Sequence, residues 1–562
     1  MEKKVILSVL SFALTFLCAQ ASDSWVVNNE GDTIWYDFNE SAKTASVTFK
    51  GEYPSLHEEY ADAISIPEEI MYNQEIYRVT TIGEKTFFAC KGLTNAIIPN
   101  SVATIGKEAF KNCKSLTNVN SPNSVTTIGE QAFADCDNLT SVIIPNGVTT
   151  IGKEAFKNCK SLINVNIPNS VTTIGEQAFA YCEKLTSMDI PNSLTTVESG
   201  TFRDCKKLTS VNIRSGVKTI GMEAFKNCKS LSNINIPNSV TSIGESAFYH
   251  CDSLTNINIP NSVKSIGRAA FAYCKKLVNV TIPNSLTTIE SSTFSQCRSL
   301  KSIIIPNSVK SIENSVFSGC LSLSEINIPN SVKSIGQSAF SLCHNLISIT
   351  LPNSLTTIES QCFLDCGSLN SITIPDNVTV IKWQAFYSCD GLTNINIPDG
   401  VKTIGKKAFF DCNLLTNVNI PNSVTTIEEK AFYNCDKLTS LTIPNSVIKI
   451  GDAAFGLCES LTSLTISNNV ITIGRGTFSG CISLTSLTIP YSVKTIGRAA
   501  FHDCRKLTNI TVLNPTPPNV SENTFEGIKK SIPLYVPVES VAKYKSAEYW
   551  KEFQNIMAIP TQ

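Results

Sequence analysis

Cysteine recurs every 23 residues from Cys90 to Cys504, nineteen times, without one insertion or deletion between copies. Phenylalanine stands three residues before each of these cysteines, from Phe87 to Phe501. Independent globular domains tolerate loop-length changes between copies, whereas stacked coils must stay in register on their neighbours. A period this strict demands a continuous solenoid, and it overrules the several globular domains that 562 residues would otherwise suggest.

The unit reads C-x-x-L-T-x-[IV]-x-I-P-N-S-[VL]-x-x-I-G-x-x-A-F-x-x. Its L-T-x-[IV]-x-I segment is a β-rich run that ends at Pro and the turn-forming Asn-Ser pair. The L-x-x-L-x-L spacing of its apolar positions is that of a leucine-rich repeat. V-x-x-I gives a second short extended stretch. In A-F-x-x-C, the spacing of Phe and Cys fits one helical turn with both side chains inward. Glycine before that turn suggests a positive φ. Glu198, Glu290, Glu313, Glu359, Glu428 and Lys382 replace it, however, and a carboxylate at a helix entry, near the dipole, fits these better.

With its I-P-N-S-V turn and A-F-x-x-C closing phrase, the unit resembles the bacterial surface protein A (BspA-type) leucine-rich repeat family over Val79 to about Val512. The expected fold is an α/β repeat solenoid of leucine-rich-repeat type. It would have about nineteen coils of 23 residues, parallel strands, a short helical turn per coil and atypical caps. The expected divisions are a signal peptide over 1–21, an N-terminal β-rich cap over 22–78, the solenoid over 79–512 and a C-terminal cap over 513–562. The first cap holds β-rich runs near Thr33–Phe38 and Ala45–Lys50. The last begins Asn514-Pro515-Thr516-Pro517-Pro518 and holds a degenerate repeat with Ile528 in place of Cys. Strand-like Pro533–Val536 follows, then an amphipathic helix near Ser540–Ile556.

The N-terminus has the form of a secretory signal: Lys3 and Lys4, an apolar run from Val5 to Leu17, and Ala19-Gln20-Ala21 before a mature start near Ser22. Leu17 before Cys18 argues against a lipobox. No later stretch is apolar enough to span a bilayer, so the expected location is secreted or at the cell surface.

Nineteen cysteines in a secreted chain raise the question of disulfides. Equivalent residues stacked about 4.8 Å apart carry parallel Cβ vectors, a poor bridge geometry, so a column of buried thiols is expected. One Cys per unit offers no C-x-x-C pair, and no metal or other cofactor is expected. His57, His250, His344 and His502 lie in unrelated contexts, and no hydrolase, P-loop or dinucleotide motif occurs. The chain does not read as an enzyme.

Binding residues must therefore be sought on the strand face. Two residues after the repeat Leu stands Asn or Ser in 18 of 19 units, with Glu325 the exception. Two further along stands Asn or Thr in 15, Asn166, Asn212, Asn235 and Asn258 among them. This carpet carries neither the aromatic platforms nor the Lys/Arg stripe that nucleic acid requires, and 46 Lys+Arg against 47 Asp+Glu give no basic field. The most conspicuous broken repeat is Ile381–Phe386, where Lys382 and Trp383 replace Gly and a polar residue, and Trp383 is the strongest single contact candidate. Uniformity favours an adhesion and interaction protein acting by avidity. The resemblance implies extracellular protein partners, such as host matrix or other cells. A glycan-binding accessory protein and a passive spacer at the cell surface are the competing readings.

Overall fold

The computed structural model describes residues 24–50 and 60–560. The proposed signal segment, Cys18 and His57 lie outside them. The chain divides into two compact units, one ending at Leu185 and the other beginning at Thr186.

Each coil contributes to two parallel ladders. In the first unit, the strand ladder pairs Asp62–Ser65 with Leu93–Ile97, then Asn118–Asn120, and again Ser141–Ile143 with Asn164–Asn166. The second ladder runs through Thr104–Ile105, Thr127–Ile128, Thr150–Ile151 and Thr173–Ile174, each 23 residues from the last. An antiparallel meander, Trp25–Val27, Thr33–Asn39 and Thr44–Thr48, joins this ladder through Glu75–Ile82. That strand also pairs with Glu69–Tyr72 through a hairpin whose two turn residues, Asn73 and Gln74, are left-handed.

The second unit repeats both ladders. Its strand ladder ends with Ser486–Ile489, Asn509–Val512, Pro533–Val536 and Asn555–Ala558 in parallel. The terminal segment corrects the expected amphipathic helix. Only Val541–Ser546 is α-helical, flanked by 3-10 turns at Val538–Ser540 and Trp550–Glu552, and Ile556 lies in the final strand. These turns hold the Pro-rich segment by its carbonyls: Ser540 donates to Pro515, Tyr544 to Asn514 and the Trp550 indole to Pro518, all within 2.9 Å.

The helical turn expected in every coil is also absent. Residues such as Glu108 and Asn112 have φ of 53° and 67°, and a left-handed residue every fourth position cannot continue an α-helix. The segment is instead a chain of turns whose alternate amides reach the next coil: Glu108 to Glu130, Phe110 to Ala132 and Asn112 to Ala134, at 2.7–2.8 Å. The amides between them close locally, as Cys113 does on Phe110. The position before Cys is Asn or Asp in many units, the residues that best tolerate this backbone.

The repeat glycine does not occupy the left-handed region, and no helix begins there. A Cβ at Gly152 would lie 2.5 Å from the Gly129 carbonyl carbon of the preceding coil, so close backbone approach selects glycine. At Glu359, Lys382 and Glu428 the larger residue finds a partner across coils. Lys382 Nζ lies 2.8 Å from both carboxylate oxygens of Glu359, and Glu428 accepts the Lys406 amide at 2.7 Å.

Inside each unit, Phe rings form stacks such as Phe110–Phe133 and Phe409–Phe432, with centroids 5.2 and 5.0 Å apart and planes within 6°. Edge-on rings close the exposed ends: Tyr60 against Phe87 at 72°, and Phe553 against Phe525 at 78°. Beside the stack runs the cysteine column. Along the column from Cys113 to Cys182 and from Cys228 to Cys504, the thiols donate to the carbonyl of a Phe in the preceding coil, as from Cys113 to Phe87 (2.9 Å) and Cys412 to Phe386 (3.3 Å). The thiols are buried and unbridged from Cys113 to Cys182 and from Cys228 to Cys504.

Candidate interaction surface

The strand ladders present alternate residues to solvent, because successive side chains in a strand point to opposite faces. In Asn233–Asn235 both asparagines are exposed and Ile234 between them is buried. Asn166, Asn212, Asn235, Asn258 and Glu325 all lie on this exposed face. Asn212 and Asn235 stand in register on adjacent coils. Asn166 belongs to the first unit and the others to the second.

Part of the hydrogen-bonding capacity of this face is engaged along the stack. Asn212 donates to Asp189 at 2.8 Å, Asn279 to Asn256 at 2.9 Å, and Thr281 to Asn258 at 2.9 Å. At the leading edge of the same face, Thr hydroxyls donate to the Thr carbonyl one coil back, as Thr462 does to Thr439 at 3.1 Å. Amides already bonded to a neighbour are poorer hooks for a ligand, so single contacts here are weak ones.

The carpet has one conspicuous interruption. Lys301–Ile305 carries no assigned strand, between Asn279–Thr281 and Glu325–Asn327. Ile304 there is 85% exposed, and Lys301 and Glu325 place opposite charges on a face that is otherwise almost neutral. Glu325 thus stands one coil beyond Lys301 and Ile304, and the three depart from three different columns of the repeat.

Trp383 and Lys382 do not join the asparagines. They lie on the turn that follows the second-ladder strand Val380–Ile381. Trp383 is 43% exposed, and Lys382 is held by Glu359. Nearby, a row the sequence reading missed stacks on this turn: Tyr387, Phe410 and Tyr433, with centroids 4.8 and 5.1 Å apart. Lys407 and Lys430 lie over Phe410 and Tyr433 at 5.4 and 5.6 Å. The signal was an aromatic residue directly after the repeat Phe in three consecutive units. Because the rings face one another, the row offers mainly edges to a ligand.

The described histidines each lie beside carboxylates: His250 sits 3.2 Å from Asp252 and His344 3.1 Å from Asp365, and His502 lies between Asp503 and Glu526. Burial pushes the thiols of Cys274, Cys320, Cys458 and Cys504 up to about 12, which keeps them protonated and unreactive at neutral pH. Among the described residues no group of three His, Cys, Asp or Glu could hold a metal ion, and no helix is long and apolar enough to cross a membrane.

With this geometry in view, comparison with known proteins is decisive for the family. The BspA type leucine rich repeat region model matches residues 80–209, 196–323, 310–439 and 403–533. The chain belongs to the BspA-type leucine-rich repeat family. It is similar to a leucine-rich repeat protein from Bacteroides ovatus ATCC 8483 (28% identity, 82% of this chain and 94% of that one, TM-score 0.46). It is also similar to a leucine rich cell surface protein from Faecalibacterium prausnitzii A2-165 (28% identity, 76% and 95%, TM-score 0.37). No curated protein matches the chain. The matching model describes a leucine-rich repeat region, a repeat scaffold, and indicates no enzymatic family.

Proposed function

We propose that this BspA-type protein is a secreted or cell-surface adhesion protein without catalytic activity. It binds protein partners, host extracellular matrix or other cells, through repeated weak contacts on its strand faces. The observation that carries this reading is the in-register recurrence of small neutral hydrogen-bonding residues, coil after coil, with individual groups already partly engaged. Such a face gains affinity by number. The lack of aromatic side chains in the Asn/Ser/Thr columns weighs against glycan capture, which leans on ring stacking. Export rests on the Lys3–Ala21 leader pattern and is part of the same proposal.

Deleting residues 229–274 removes two whole periods and restores the register. Binding of the deletion variant to an immobilised panel of matrix proteins, followed by surface plasmon resonance, should weaken gradually, while Trp383→Ala leaves it nearly unchanged. A fully active deletion beside an inactive Trp383→Ala variant would overturn distributed adhesion in favour of one pocket on the turn.

A further inference from the structure

At the position directly before each second-ladder strand, the first unit carries Ala103, Thr126, Thr149 and Thr172. In the second unit lysine recurs there, at Lys218, Lys264, Lys310, Lys333, Lys402 and Lys494. All six are exposed, and none makes an ion pair among the described residues. Threonine suits a strand and lysine does not, so the ladder itself supplies no reason for the change.

The charge concentrates in one stretch. From Lys264 to Lys333 stand eight Lys and Arg against three acids, in a chain balanced at 46 to 47 overall. Of the three, Glu325 lies on the other strand ladder. Glu290 and Glu313 follow the buried Ile289 and Ile312 at the far end of their strands, and neither pairs with a lysine of this column. Lys310 and Lys333 stand in register on successive coils, the Lys333 amide donating to the Lys310 carbonyl at 2.8 Å. Like charges so placed repel, and the fold leaves the repulsion uncompensated. Arg268, exposed on the turn after Ser265–Ile266, adds a guanidinium that has no ion pair among the described residues.

Neutral donors line the same strip. Asn261 and Asn330, three residues before Lys264 and Lys333, accept the Asn284 and Asn353 amides through Oδ1 at 3.0 and 3.1 Å. Those bonds fix the side-chain orientation and leave each NH2 group to donate outward, on the same turn as the lysine. A line of cations interleaved with amide donors selects a long, repeating anion.

We propose that the second-ladder face from Lys264 to Lys333 binds a linear acidic polysaccharide. Sulfates or carboxylates of the chain meet the lysines, and its hydroxyl oxygens accept from the Asn amides. Single-stranded nucleic acid fits less well, because this face carries no aromatic ring between Lys264 and Lys333 on which a base could stack. Charge recognition needs none of the ring stacking whose lack weighs against glycan capture on the other strand face. The surface is separate from that face and goes beyond the protein contacts proposed there.

The test uses the full chain and fluorescein-labelled heparin, hyaluronan, neutral dextran and oligothymidylate of matched length, read by fluorescence polarisation. Heparin should bind most tightly, hyaluronan more weakly and dextran not at all, and heparin affinity should fall as salt rises. Lys264→Thr, Lys310→Thr and Lys333→Thr together should weaken heparin about tenfold and flatten its salt dependence, as the loss of three charge contacts requires. Arginine at the same three positions should retain binding. Threonine is what this column carries elsewhere, so the variant should unfold at the wild-type temperature. Lys207→Ser, Lys276→Ser and Lys437→Ser remove the same charge from exposed positions two after the repeat cysteine, and should leave heparin binding unchanged. Absent heparin binding, equal weakening by the two triple variants, or oligothymidylate binding as tight as heparin overturns the proposal. Matrix-protein binding should persist in the Lys→Thr variant. Its loss would assign the lysines to the protein contacts and overturn the polysaccharide assignment, while leaving adhesion itself standing.

Discussion

Two runs of coils in the second unit share one design and differ at one core position. From Phe386 to Phe455 the stacked rings stand 5.0–5.3 Å apart, and the residue before each Phe is Ala. From Phe271 to Phe317 the spacing is 5.8 and 5.9 Å, and Thr293 and Val316 stand in place of Ala. That residue is fully buried beside the ring, so each added heavy atom must be accommodated by separating the coils. The second ladder follows in part. It is continuous from Thr357–Ile358 to Lys449–Ile450, yet breaks between Ser265–Ile266 and Thr288–Ile289. Where it breaks, the coil carries a second change: Leu286 with Thr293, Leu355 with Cys362, and Ser467 and Asn469 with Thr477. Val316, in a coil that keeps Pro306–Val309, widens the rings and leaves the strands paired. Bulk beside the ring loosens a coil; bulk together with an altered turn splits it.

The largest expected effect tests what both runs have in common. Burial raises the ladder thiols above their ordinary value of 9.0, to about 12 at Cys274, Cys320, Cys458 and Cys504. A raised folded-state value means that the neutral thiol favours the fold. Its contribution is complete below pH 9 and is lost as the pH rises toward 12. Each thiol ionised only in the unfolded chain removes ~1.4 kcal/mol per pH unit in that window. Circular dichroism in reductant should show steep unfolding above about pH 9, in the tight and loose runs alike. A signal flat to about pH 11 would remove the thiol column from the account of stability.

The next test separates the runs. Phe409→Ala, in the tight run, should cost about 3–5 kcal/mol, with Phe294→Ala at the lower end of that range because its neighbours are already farther away. Nearest-neighbour coupling should also divide the urea transition into two steps around each site. Equal costs and single transitions for both variants would show that ring spacing carries no energetic weight.

How much of this was legible follows from what repetition can and cannot encode. The Phe and Cys columns, the two extended stretches and the family were readable because each depends on one residue type recurring at one spacing. The turns were misread as helical because Phe and Cys three apart satisfy a helix and a turn chain equally. The discriminating signal was the Asn or Asp before Cys, as at Asn112 and Asp135, whose φ of 67° and 62° no helix allows. Asparagines such as Asn212 were readable as exposed, but not as bonded to the coil before. That Ile448 and Ile471 stand exposed on successive coils was invisible because each isoleucine looks like a tolerated exception until the stack places one above the other.

A smaller effect comes from exchanging the deciding side chain between runs. Ala431→Thr should destabilise by about 1–3 kcal/mol by overpacking a fully buried site, while Thr293→Ala should be neutral or gain up to about 1 kcal/mol. The gain is limited because the Thr293 hydroxyl already donates to the Glu290 carbonyl. Amide exchange would locate the change. Slower exchange over 288–318 in Thr293→Ala, and faster exchange over 426–456 in Ala431→Thr, are the expected pattern. Changes of the same sign in both would refute bulk as the cause.

The smallest effect concerns the border between a split coil and the tight run. Glu359 and Lys382 stand one above the other at two successive glycine positions, directly after the break that precedes Thr357–Ile358. Glycine there allows backbones to approach within a distance that no Cβ would accept, so side chains at this site must find another way to hold the coils together. The ion pair at 2.8 Å is that alternative, and both partners remain partly in water, so its contribution should be modest, ~0.2–1 kcal/mol. Lys382→Met keeps the bulk and removes the charge. It should lower the urea midpoint slightly in dilute buffer and not at all in about 1 M salt, where screening has already weakened the pair. A salt-independent loss would mean that the lysine stem, packed against the neighbouring coil, does the holding and the charge does not. In that case Lys382→Gly, which restores the repeat residue but not the pair, should destabilise more than Lys382→Met; under the ion-pair account the two variants should be alike.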